Sequence, residues 1–589
     1  MYNRKIFITL SISTLIGLNG CRLPKQIPVS SPETHAKQWV DSVFKTLNKR
    51  QKIAQLLMIR VNSNKNKHYE DSIIKIVNRE QVGGVVFFQG GPKRQASLTN
   101  RLQQVAQVPL LIATDAEWGL GMRLDSANAF PFAMTLGAIR NNLLIYQMGR
   151  EIGKDLKAIG VGLNFAPVVD VNNNANNPVI NFRSFGENKE NVAYKGIAYM
   201  AGLQAENVIA TAKHFPGHGD TDIDSHHDLP SLKHNSIRLD SLEMYPFKQL
   251  IEAGVGGIMV AHINIPSLDS SLNIPSSLSK PIITGILKNK IGFKGLIISD
   301  AMDMKGVVKF FPNGSADVKA IEAGNDIIEL SENSQRAIQQ IRKAIRNHTL
   351  SWADIDEKVK KILHTKYEIG LWNSKIQKKG LLFHLYSLFS RPNIRMIDTN
   401  GLTNFYNRPA INALKNQLCE AAITQLRNHN LPIDSNIHQP IACLSIGSKS
   451  ITVFQQEIAQ QDSVTFFNLD KQATLAEIET TKQQLKKYSL IIIGVHDTRK
   501  FPRNRLDYNE STLAFINELT TSNAIISWFA NPYSLAQCST ISQTKGLLIG
   551  YQNIPEIQKA AVKIIFGQLK PQGKLPVSVG STFKFGEGE

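Results

Sequence analysis

The chain has few cysteines and no long hydrophobic run beyond its N-terminus. Four cysteines in 589 residues are too few for the disulfide framework that stabilises small secreted domains. No later segment is apolar enough to span a membrane, and no internal repeat or low-complexity tract is present. These absences exclude a disulfide-rich scaffold, a many-span membrane protein and a repeat protein. The 42% hydrophobic and 20% charged residues are typical of globular domains, and the length suffices for two cores.

Acidic residues are outnumbered, so the chain carries a formal net charge of +19. The basic residues are scattered along the chain, and no nucleic-acid-binding motif accompanies them. We therefore do not expect nucleic acid as a partner. A basic surface also suits anionic glycans or lipids.

The N-terminus has the pattern of an export signal. Arg4 and Lys5 precede an apolar stretch at residues 6–18, which is too short for a stable membrane anchor but fits a secretory signal. The sequence LNGC at residues 18–21 resembles a bacterial lipobox, in which the cysteine is lipidated and becomes the new N-terminus. We predict a lipoprotein-type signal peptide at residues 1–20 and a lipid anchor at Cys21. The protein would then be an exported cell-envelope lipoprotein, membrane-anchored in the periplasm or at the cell surface, with simple secretion as the alternative.

From about residue 36 to 373, short apolar runs alternate with amphipathic segments. The runs are LLMIRV (56–61), GGVVFFQ (83–89), LLIATD (110–115), LNFAPVVDV (163–171), IATAKHF (209–215), GIMVAHI (257–263), GLIISD (295–300) and DIIEL (326–330). Near-continuous β-branched runs indicate parallel strands buried on both faces. Eight such strands alternating with helices predict an α/β fold of the (β/α)8 TIM type. An open doubly wound sheet is the alternative, but the glycine-rich turn expected after its first strand is absent.

A second α/β pattern follows the barrel. Residues 374–405 are predicted to be a connector packed across both domains, and residues 406–589 to be a smaller α/β/α sandwich domain. The predicted helices are 409–427, 473–487 and 555–566, and the predicted strands are 441–446, 464–469, 490–495, 524–529 and 546–551. We expect these strands to form a parallel sheet between helices.

Polar residues collect at the C-terminal ends of the barrel runs, namely Asp115, Asp170, Lys213, His214 and Asp300. In a TIM-type barrel, this rim is where the chemistry takes place. Asp300 has no basic neighbour in sequence and is expected to face the pocket, although a helix N-cap is the alternative.

Arginines accompany these acidic residues. Arg123 lies eight residues after Asp115, and Arg183 lies in the segment NFRSFG. Acidic and arginine side chains at a barrel mouth suit a polyhydroxylated ligand, but they could equally form structural ion pairs.

The densest polar cluster is KHFPGHGDTDIDSHHDLP at residues 213–230. Four histidines and four aspartates lie within residues 214–228, a composition compatible with a metal site. Asp224 and His226 could instead form a carboxylate that orients a proton-transferring imidazole. Composition alone does not decide between the two.

In this order, the motifs resemble the bacterial β-N-acetylglucosaminidase branch of glycoside hydrolase family 3. KHFPGHGDTDIDSHHDLP follows the signature of that branch almost residue by residue, and Ser299-Asp300 lies where the family has its nucleophile. The closing PQGKLPVS at residues 571–578 resembles the end of the family's second domain, so the resemblance spans roughly 40–580. One departure is EWGLG at residues 117–121, where many relatives carry an acidic-Gly-Gly turn.

The resemblance implies a role for each site residue. Asp300 would be the nucleophile, and His226 the acid/base, with Asp224 accepting its other N–H. The residues that would hold the sugar are Asp115, Arg123, Arg183, Lys213 and His214. The residues left as structural are Asp170, His218, Asp220, Asp222 and His227.

The implied activity is that of a retaining exo-β-N-acetylglucosaminidase. It would cleave terminal β-linked N-acetylglucosamine from peptidoglycan fragments or chitin-type oligosaccharides through a covalent glycosyl-aspartate. No metal or organic cofactor is expected, and phosphate could replace water in the second step, since neutral imidazole does not repel an anion. One alternative is a metal-dependent hydrolase using the cluster at residues 214–228, although the first strand lacks the His-x-His of amidohydrolase barrels. The other is a non-catalytic glycan-binding lipoprotein. The sequence leaves the leaving group and the oligomeric state open.

Overall fold

The computed structural model describes residues 32–224, 228–372, 396–402, 408–429, 431–433 and 440–589. The predicted signal peptide, including Cys21, lies outside the described residues. Within the described ranges, no helix is both long and apolar enough to cross a membrane.

The first part of the chain is a closed barrel of eight parallel strands. They are β1 (Leu57–Val61), β2 (Gly84–Phe87), β3 (Leu111–Thr114), β4 (Leu163–Asn164), β5 (Ile209–Phe215), β6 (Gly257–Val260), β7 (Leu296–Ser299) and β8 (Ile328–Glu329). Sequential neighbours pair in parallel, and β8 returns to pair with β1. A parallel bridge between Ile298 and Ile327 joins β7 to β8 and closes the barrel. The predicted TIM-type fold is therefore confirmed.

Helices surround this barrel. Their bounds are Pro32–Thr46, Lys49–Ala54, Lys67–Glu80, Pro92–Val105, Ala133–Gly137, Asn142–Ala158, Lys189–Ala205, Ser236–Ser241, Tyr245–Glu252, Lys305–Val308, Ser315–Ala323, Ser334–Arg346 and Trp352–Glu368. A π-helical segment, Pro281–Lys290, replaces the α-helix between β6 and β7. Several strands are shorter than their apolar runs, because the ends of the runs turn into the loops at the rim.

Two glycines allow the helices Asn142–Ala158 and Lys189–Ala205 to pack backbone against backbone. A Cβ on Gly149 would lie 2.4 Å from the Tyr199 carbonyl oxygen, and a Cβ on Gly202 would lie 2.2 Å from that of Tyr146. The close contact fixes Tyr199, whose hydroxyl donates a hydrogen bond of 2.8 Å to the Ala116 carbonyl. The helix pair thereby supports the loop that follows β3.

The second part of the chain contains a six-stranded mixed sheet. Its strands are β9 (Thr424–Asn428), β10 (Ile441–Ile446), β11 (Val464–Leu469), β12 (Leu490–His496), β13 (Ala524–Phe529) and β14 (Gly546–Ile549), in the order β11-β10-β12-β13-β14-β9. Its α-helices are Pro409–Ala422, Val453–Ile458, Leu475–Leu485, Glu510–Thr520 and Pro555–Ile565. The five predicted strands, β10 to β14, pair in parallel as expected, and β9, which was not predicted, adds to β14 antiparallel. The predicted helix 409–427 was too long, since its last residues form β9.

Hydrogen bonds join the second sheet domain to the barrel. Asn531 donates to the Asn181 side chain at 2.6 Å, and Asn504 donates to the Asn176 side chain at 2.8 Å. Most of the predicted connector lies outside the described residues. In its described part, the backbone of Ile397 exchanges two hydrogen bonds with the Asn100 side chain on the barrel helix Pro92–Val105.

Candidate active site

A cavity of about 540 Å³ opens at the C-terminal ends of the barrel strands. It brings together six of the eight predicted site residues, namely Asp115, Arg123, Arg183, Lys213, His214 and Asp300. They follow or end the strands β3, β4, β5 and β7, and the barrel brings these strand ends side by side. This rim is where a TIM-type barrel holds its reactive groups.

Asp115 lies at the centre of a buried charge network. Its Oδ1 accepts a hydrogen bond of 2.8 Å from Lys213 Nζ, and its Oδ2 accepts one from Arg123. Burial raises the pKa of Asp115, but Lys213 and Arg123 outweigh that effect and hold it well below its ordinary value. Asp115 is therefore a carboxylate with both oxygens engaged before any ligand binds.

Glu117 completes the network, although the sequence marked it only as part of a departure from the family pattern. Its carboxylate forms a two-point ion pair with Arg183, with Nη2–Oε1 at 2.6 Å and Nε–Oε2 at 3.0 Å. Lys213 Nζ lies 2.9 Å from the same carboxylate. Burial raises the pKa of Glu117, but Arg183 and Lys213 bring it down to about 2. Lys213 thus contacts two carboxylates, and the pKa of Lys213 is raised because Asp115 and Glu117 outweigh its burial.

His214 is oriented by Asp170, one of the residues predicted to be structural. His214 Nδ1 lies 2.7 Å from Asp170 Oδ2, and the His214 backbone N–H donates to the same carboxylate at 3.1 Å. The His218 backbone N–H donates to Asp170 Oδ1 at 2.7 Å. Asp170 is fully buried. These donors stabilise its negative charge in the absence of solvent. The interaction leaves Nε2 of His214 as the ring nitrogen that is available to a ligand.

Asp300 follows β7 and is partly exposed to the cavity. Its backbone N–H donates to the Val260 carbonyl at 3.0 Å, and its Oδ1 accepts from the Ala301 N–H at 2.8 Å. Burial raises the pKa of Asp300, but His262 and His214 outweigh it and hold the pKa below its ordinary value. Asp300 is therefore an ionised carboxylate that has not been neutralised by a direct ion pair with a described residue.

His262 was missed by the sequence analysis, which treated it as part of a strand. It is fully buried, with Nδ1 at 2.6 Å from Ser277 Oγ and Nε2 at 3.0 Å from the Ala301 carbonyl. It thus supports the residue next to Asp300. Arg60 and Asp303, paired at 2.9 Å, were also missed and line the same cavity. Arg60 lies near the end of β1, and Asp303 lies in the segment that follows β7.

Asp224 lies in a second cavity next to the first. This cavity of about 660 Å³ shares the wall residues Met122, Val179 and Arg183 with the Asp300 cavity. Asp224 lines the second cavity and does not line the first. The predicted acid/base His226 and the neighbouring His227 lie outside the described residues.

Aromatic side chains from both domains form one wall of the second cavity. Phe501, from the loop after β12, stacks on Phe182 with ring centroids 5.9 Å apart and an interplanar angle of 12°. The ring centroids of Trp118 and Phe501 lie 6.2 Å apart. Phe501 remains 45% exposed, and Lys500 Nζ lies over its ring, 5.3 Å from the centroid. Trp118 belongs to the EWGLG segment that departs from the family pattern.

The histidines and aspartates considered as metal ligands mostly have protein partners. His214 pairs with Asp170, and His218 Nδ1 lies 2.8 Å from Thr221 Oγ1. Asp222 accepts a hydrogen bond from Asn174 at 2.5 Å. Asp220, His234 and Glu243 lie close enough to hold an ion, but Arg238 pairs with Asp220 at 2.8 Å and with Glu243 at 3.2 Å. The guanidinium therefore already balances the carboxylates of that group.

Comparisons with known proteins agree with this architecture. A model of the glycosyl hydrolase family 3 N-terminal domain matches residues 48–365. β-Hexosaminidase A of Pseudoalteromonas piscicida is 28% identical over 566 residues, covering 86% of this chain and 90% of the relative. A β-hexosaminidase of Nitrosomonas eutropha is 33% identical over 266 residues, covering 44% of this chain and 75% of the relative.

Solved structures also match the chain. The glycoside hydrolase family 3 β-N-acetylglucosaminidase from Paenibacillus sp. str. FPU-7 aligns with a TM-score of 0.72 at 28% identity, covering 90% of this chain and 99% of that one. β-Glucoside phosphorylase BglX aligns with a TM-score of 0.75 at 20% identity, covering 93% and 96% respectively, which is a likeness of fold alone.

Proposed function

Because the chain belongs to glycosyl hydrolase family 3, we propose that it is a retaining exo-β-N-acetylglucosaminidase. The observation that carries the proposal is Asp300, an ionised carboxylate facing a cavity whose other walls carry Asp115, Lys213 and His214. The names of its relatives, β-hexosaminidase and β-N-acetylglucosaminidase, favour an N-acetylated sugar.

In the first step, Asp300 attacks the anomeric carbon and forms a glycosyl-aspartate ester. The bond to the leaving oxygen breaks, and His226 donates its proton to that oxygen. In the second step, His226 takes a proton from water, the resulting hydroxide attacks the anomeric carbon, and Asp300 leaves as a carboxylate. Configuration is retained because the carbon is inverted twice.

The remaining cavity residues hold the sugar. Asp115 accepts hydrogen bonds from sugar hydroxyls, while Lys213 and Arg123 donate to them and keep Asp115 ionised. His214 presents Nε2 because Asp170 holds Nδ1. Arg183 binds the sugar from the wall shared with the second cavity, where its ion pair with Glu117 fixes the orientation of the guanidinium group. These groups are already oriented, so little reorganisation is needed when the sugar binds.

The leaving group would occupy the second cavity, which is lined by Asp224. Asp224 would accept the second N–H of His226, fix its tautomer and favour the imidazolium form. A retaining mechanism requires this imidazole to act on the face of the sugar opposite to the one attacked by Asp300. Peptidoglycan fragments and chitin-type oligosaccharides both supply a sugar in this position.

We further propose that the protein acts at the cell envelope through a lipid on Cys21. The support is the order of Arg4 and Lys5, apolar stretch and LNGC sequence. A mature N-terminus at Cys21, found by mass spectrometry, and release of Cys21→Ala into the soluble fraction are the expected results. A mature N-terminus elsewhere would overturn the anchor.

The activity is tested with nitrophenyl glycosides. The purified protein should hydrolyse nitrophenyl N-acetyl-β-glucosaminide faster than nitrophenyl β-glucoside, and a chelator should leave the rate unchanged. Activity abolished by the chelator and restored by zinc would overturn the proposal in favour of a metal-dependent hydrolase. The acceptor is identified by running the reaction in phosphate and analysing the product. Free sugar indicates water as the acceptor, and sugar 1-phosphate indicates phosphate.

A further inference from the structure

Glu329 is a carboxyl group of the catalytic cavity that has no role in the steps above. Glu329 ends β8, where it lies in register with Met58 of β1. Its backbone N–H donates to Ser299 Oγ at 3.1 Å, and its carbonyl accepts from the Met302 N–H at 2.9 Å. These contacts hold the backbone of Glu329 against two residues that flank Asp300, Ser299 and Met302. The residue is 3% exposed, yet it lines the same cavity as Asp300.

The side chain of Glu329 lacks the partners that other buried carboxylates of the site possess. Oε2 is buried and has no hydrogen-bond partner among the described residues, and no described cation forms an ion pair with it. Asp115 and Glu117, by comparison, each contact two cations. Burying an unpaired ionised carboxylate costs several kcal/mol, of the order of the whole stability of a domain. The surroundings therefore favour the neutral acid.

The charged groups that face Glu329 act in the same direction. Burial raises its pKa well above the ordinary value, and Asp115, Asp300 and Asp303 add to this, while Lys213 opposes it. Arg60 is engaged with Asp303, so its charge is already shared. A neutral carboxylic acid has one O–H to donate, and a buried donor without an acceptor is costly. A ligand in the cavity is the available source of that acceptor.

We propose that Glu329 is a further substrate-contacting residue, which donates a hydrogen bond from its carboxylic acid to an oxygen of the sugar bound against Asp300. The proposal rests on the proposed function, because it needs a sugar in this cavity. It adds a neutral donor to a site whose other donors, Lys213 and Arg123, are charged and already engaged with carboxylates. A neutral donor can distinguish sugars by the position of one oxygen, and it adds no charge next to the nucleophile.

Two substitutions separate hydrogen bonding from proton transfer. Gln at position 329 keeps a donor of similar size, whereas Ala removes it. We expect Glu329→Ala to lower kcat/KM by about 10-fold or more, the equivalent of one lost hydrogen bond in a buried site, and Glu329→Gln to lower it by clearly less. Wild-type kcat/KM should fall as the pH rises through the ionisation of Glu329, and this limb of the pH profile should be absent or displaced in Glu329→Gln.

Asp317 provides a matched control. It is a buried carboxyl whose pKa is raised to about 6, mainly by burial, and its Oδ1 also lacks a hydrogen-bond partner among the described residues. It lies on the helix Ser315–Ala323 and does not line the cavity. Asp317→Asn should leave kcat/KM and its pH profile unchanged. Melting temperatures of all variants show that each is folded when it is assayed.

Two results would overturn the proposal. One is a Glu329→Ala variant whose kcat/KM stays within about 2-fold of wild type. The other is a Glu329→Gln variant that loses as much as the Ala variant, and loses more with poor leaving groups, because Glu329 would then be transferring a proton. The assays use whichever glycoside the wild-type protein hydrolyses. A wild-type preference for β-glucoside would thus overturn the N-acetylglucosaminidase assignment without deciding the role of Glu329.

Discussion

Arg183 and Glu117 face each other in a two-point ion pair on the wall shared by the two cavities. Glu117 and Asp115 lie two residues apart, and Lys213 contacts both. A single lysine therefore links the ion pair at the wall to the carboxylate expected to hold the sugar. Changes at Glu117 should reach the sugar site without touching the sugar.

The ion pair itself is tested by a double-mutant cycle. Glu117→Gln removes one charge and leaves Arg183 poorly compensated in a buried position, which typically costs about 3–5 kcal/mol. Arg183→Gln should have a similar cost, and the double variant should cost less than the sum of the two. Urea unfolding measures each value. Strict additivity would mean that the pair is not coupled in the folded protein.

The pH dependence of stability gives a second test of Glu117. Its folded-state pKa is lowered from 4.5 to about 2, because Arg183 and Lys213 outweigh the burial that raises it. A lowered pKa stabilises the fold above the unfolded pKa, and this stabilisation is lost as the pH falls through the folded pKa. The stability difference between wild type and Glu117→Gln should therefore shrink by about 3 kcal/mol between pH 5 and pH 2. A difference that stays constant over this range would contradict the role of the pair.

The role of Asp300 is tested by substitution and by labelling. Asp300→Asn should remove nearly all turnover and leave the melting temperature close to that of wild type, because an amide cannot form the glycosyl-enzyme. A 2-fluoro or 5-fluoro sugar inactivator should label Asp300, as located by peptide mass spectrometry. A label on Asp303, the neighbouring cavity carboxylate, would reassign the nucleophile.

His226 is tested by the leaving group. General acid catalysis contributes about 10²–10⁴ in rate where the leaving oxygen needs a proton. A sugar alcohol needs one and a nitrophenolate hardly does, so His226→Ala should lose far more activity on a disaccharide than in the glycosylation step of a nitrophenyl glycoside. Azide should partly restore the second step, which then needs no base. His227→Ala is the control and should show no such dependence; the reverse pattern would exchange the two roles.

Phe501 is expected to pack against the leaving-group sugar, because its partly exposed side chain lines the cavity that also contains Asp224. Phe501→Ala should lower kcat/KM on N,N′-diacetylchitobiose by about 10-fold or more, since ring stacking is lost, and should change hydrolysis of the nitrophenyl glycoside much less. Phe585→Ala is the matched control, an exposed phenylalanine that does not line this cavity. Equal losses on both substrates for Phe501→Ala would place Phe501 outside the leaving-group site.

The sequence predicts the groups that end long apolar runs better than the groups within them. Lys213 and His214 lie near the end of the buried strand β5, just before a glycine-rich loop, so the pattern predicted their place at the rim. Glu329 is enclosed by apolar neighbours in DIIEL, and β8 is only two residues long. Which way that carboxyl points depends on the register with β1, a property of the closed barrel that no local pattern encodes.

The second domain shows the same limit at the level of secondary structure. TQLRN at residues 424–428 continues a helical sequence without a glycine or proline, so the helix was extended through it. In the structure these residues pair with β14, and backbone hydrogen bonds to a neighbouring strand override a weak local preference. His226 depends on a loop of which residues 225–227 lie outside the described residues, so its role stays a prediction from the resemblance.

The contact between Gly149 and Gly202 makes the site vulnerable to changes made far from it. A side chain at either glycine would meet backbone atoms of the facing helix, so that the two helices would have to separate. Tyr199 would then withdraw from the Ala116 carbonyl, which lies between Asp115 and Glu117. In a screen of random variants, alanine at either glycine should lower activity as much as a substitution in the active site does. The effect of a substitution on activity should therefore depend on the contacts that the residue supports, and not on its distance from the sugar.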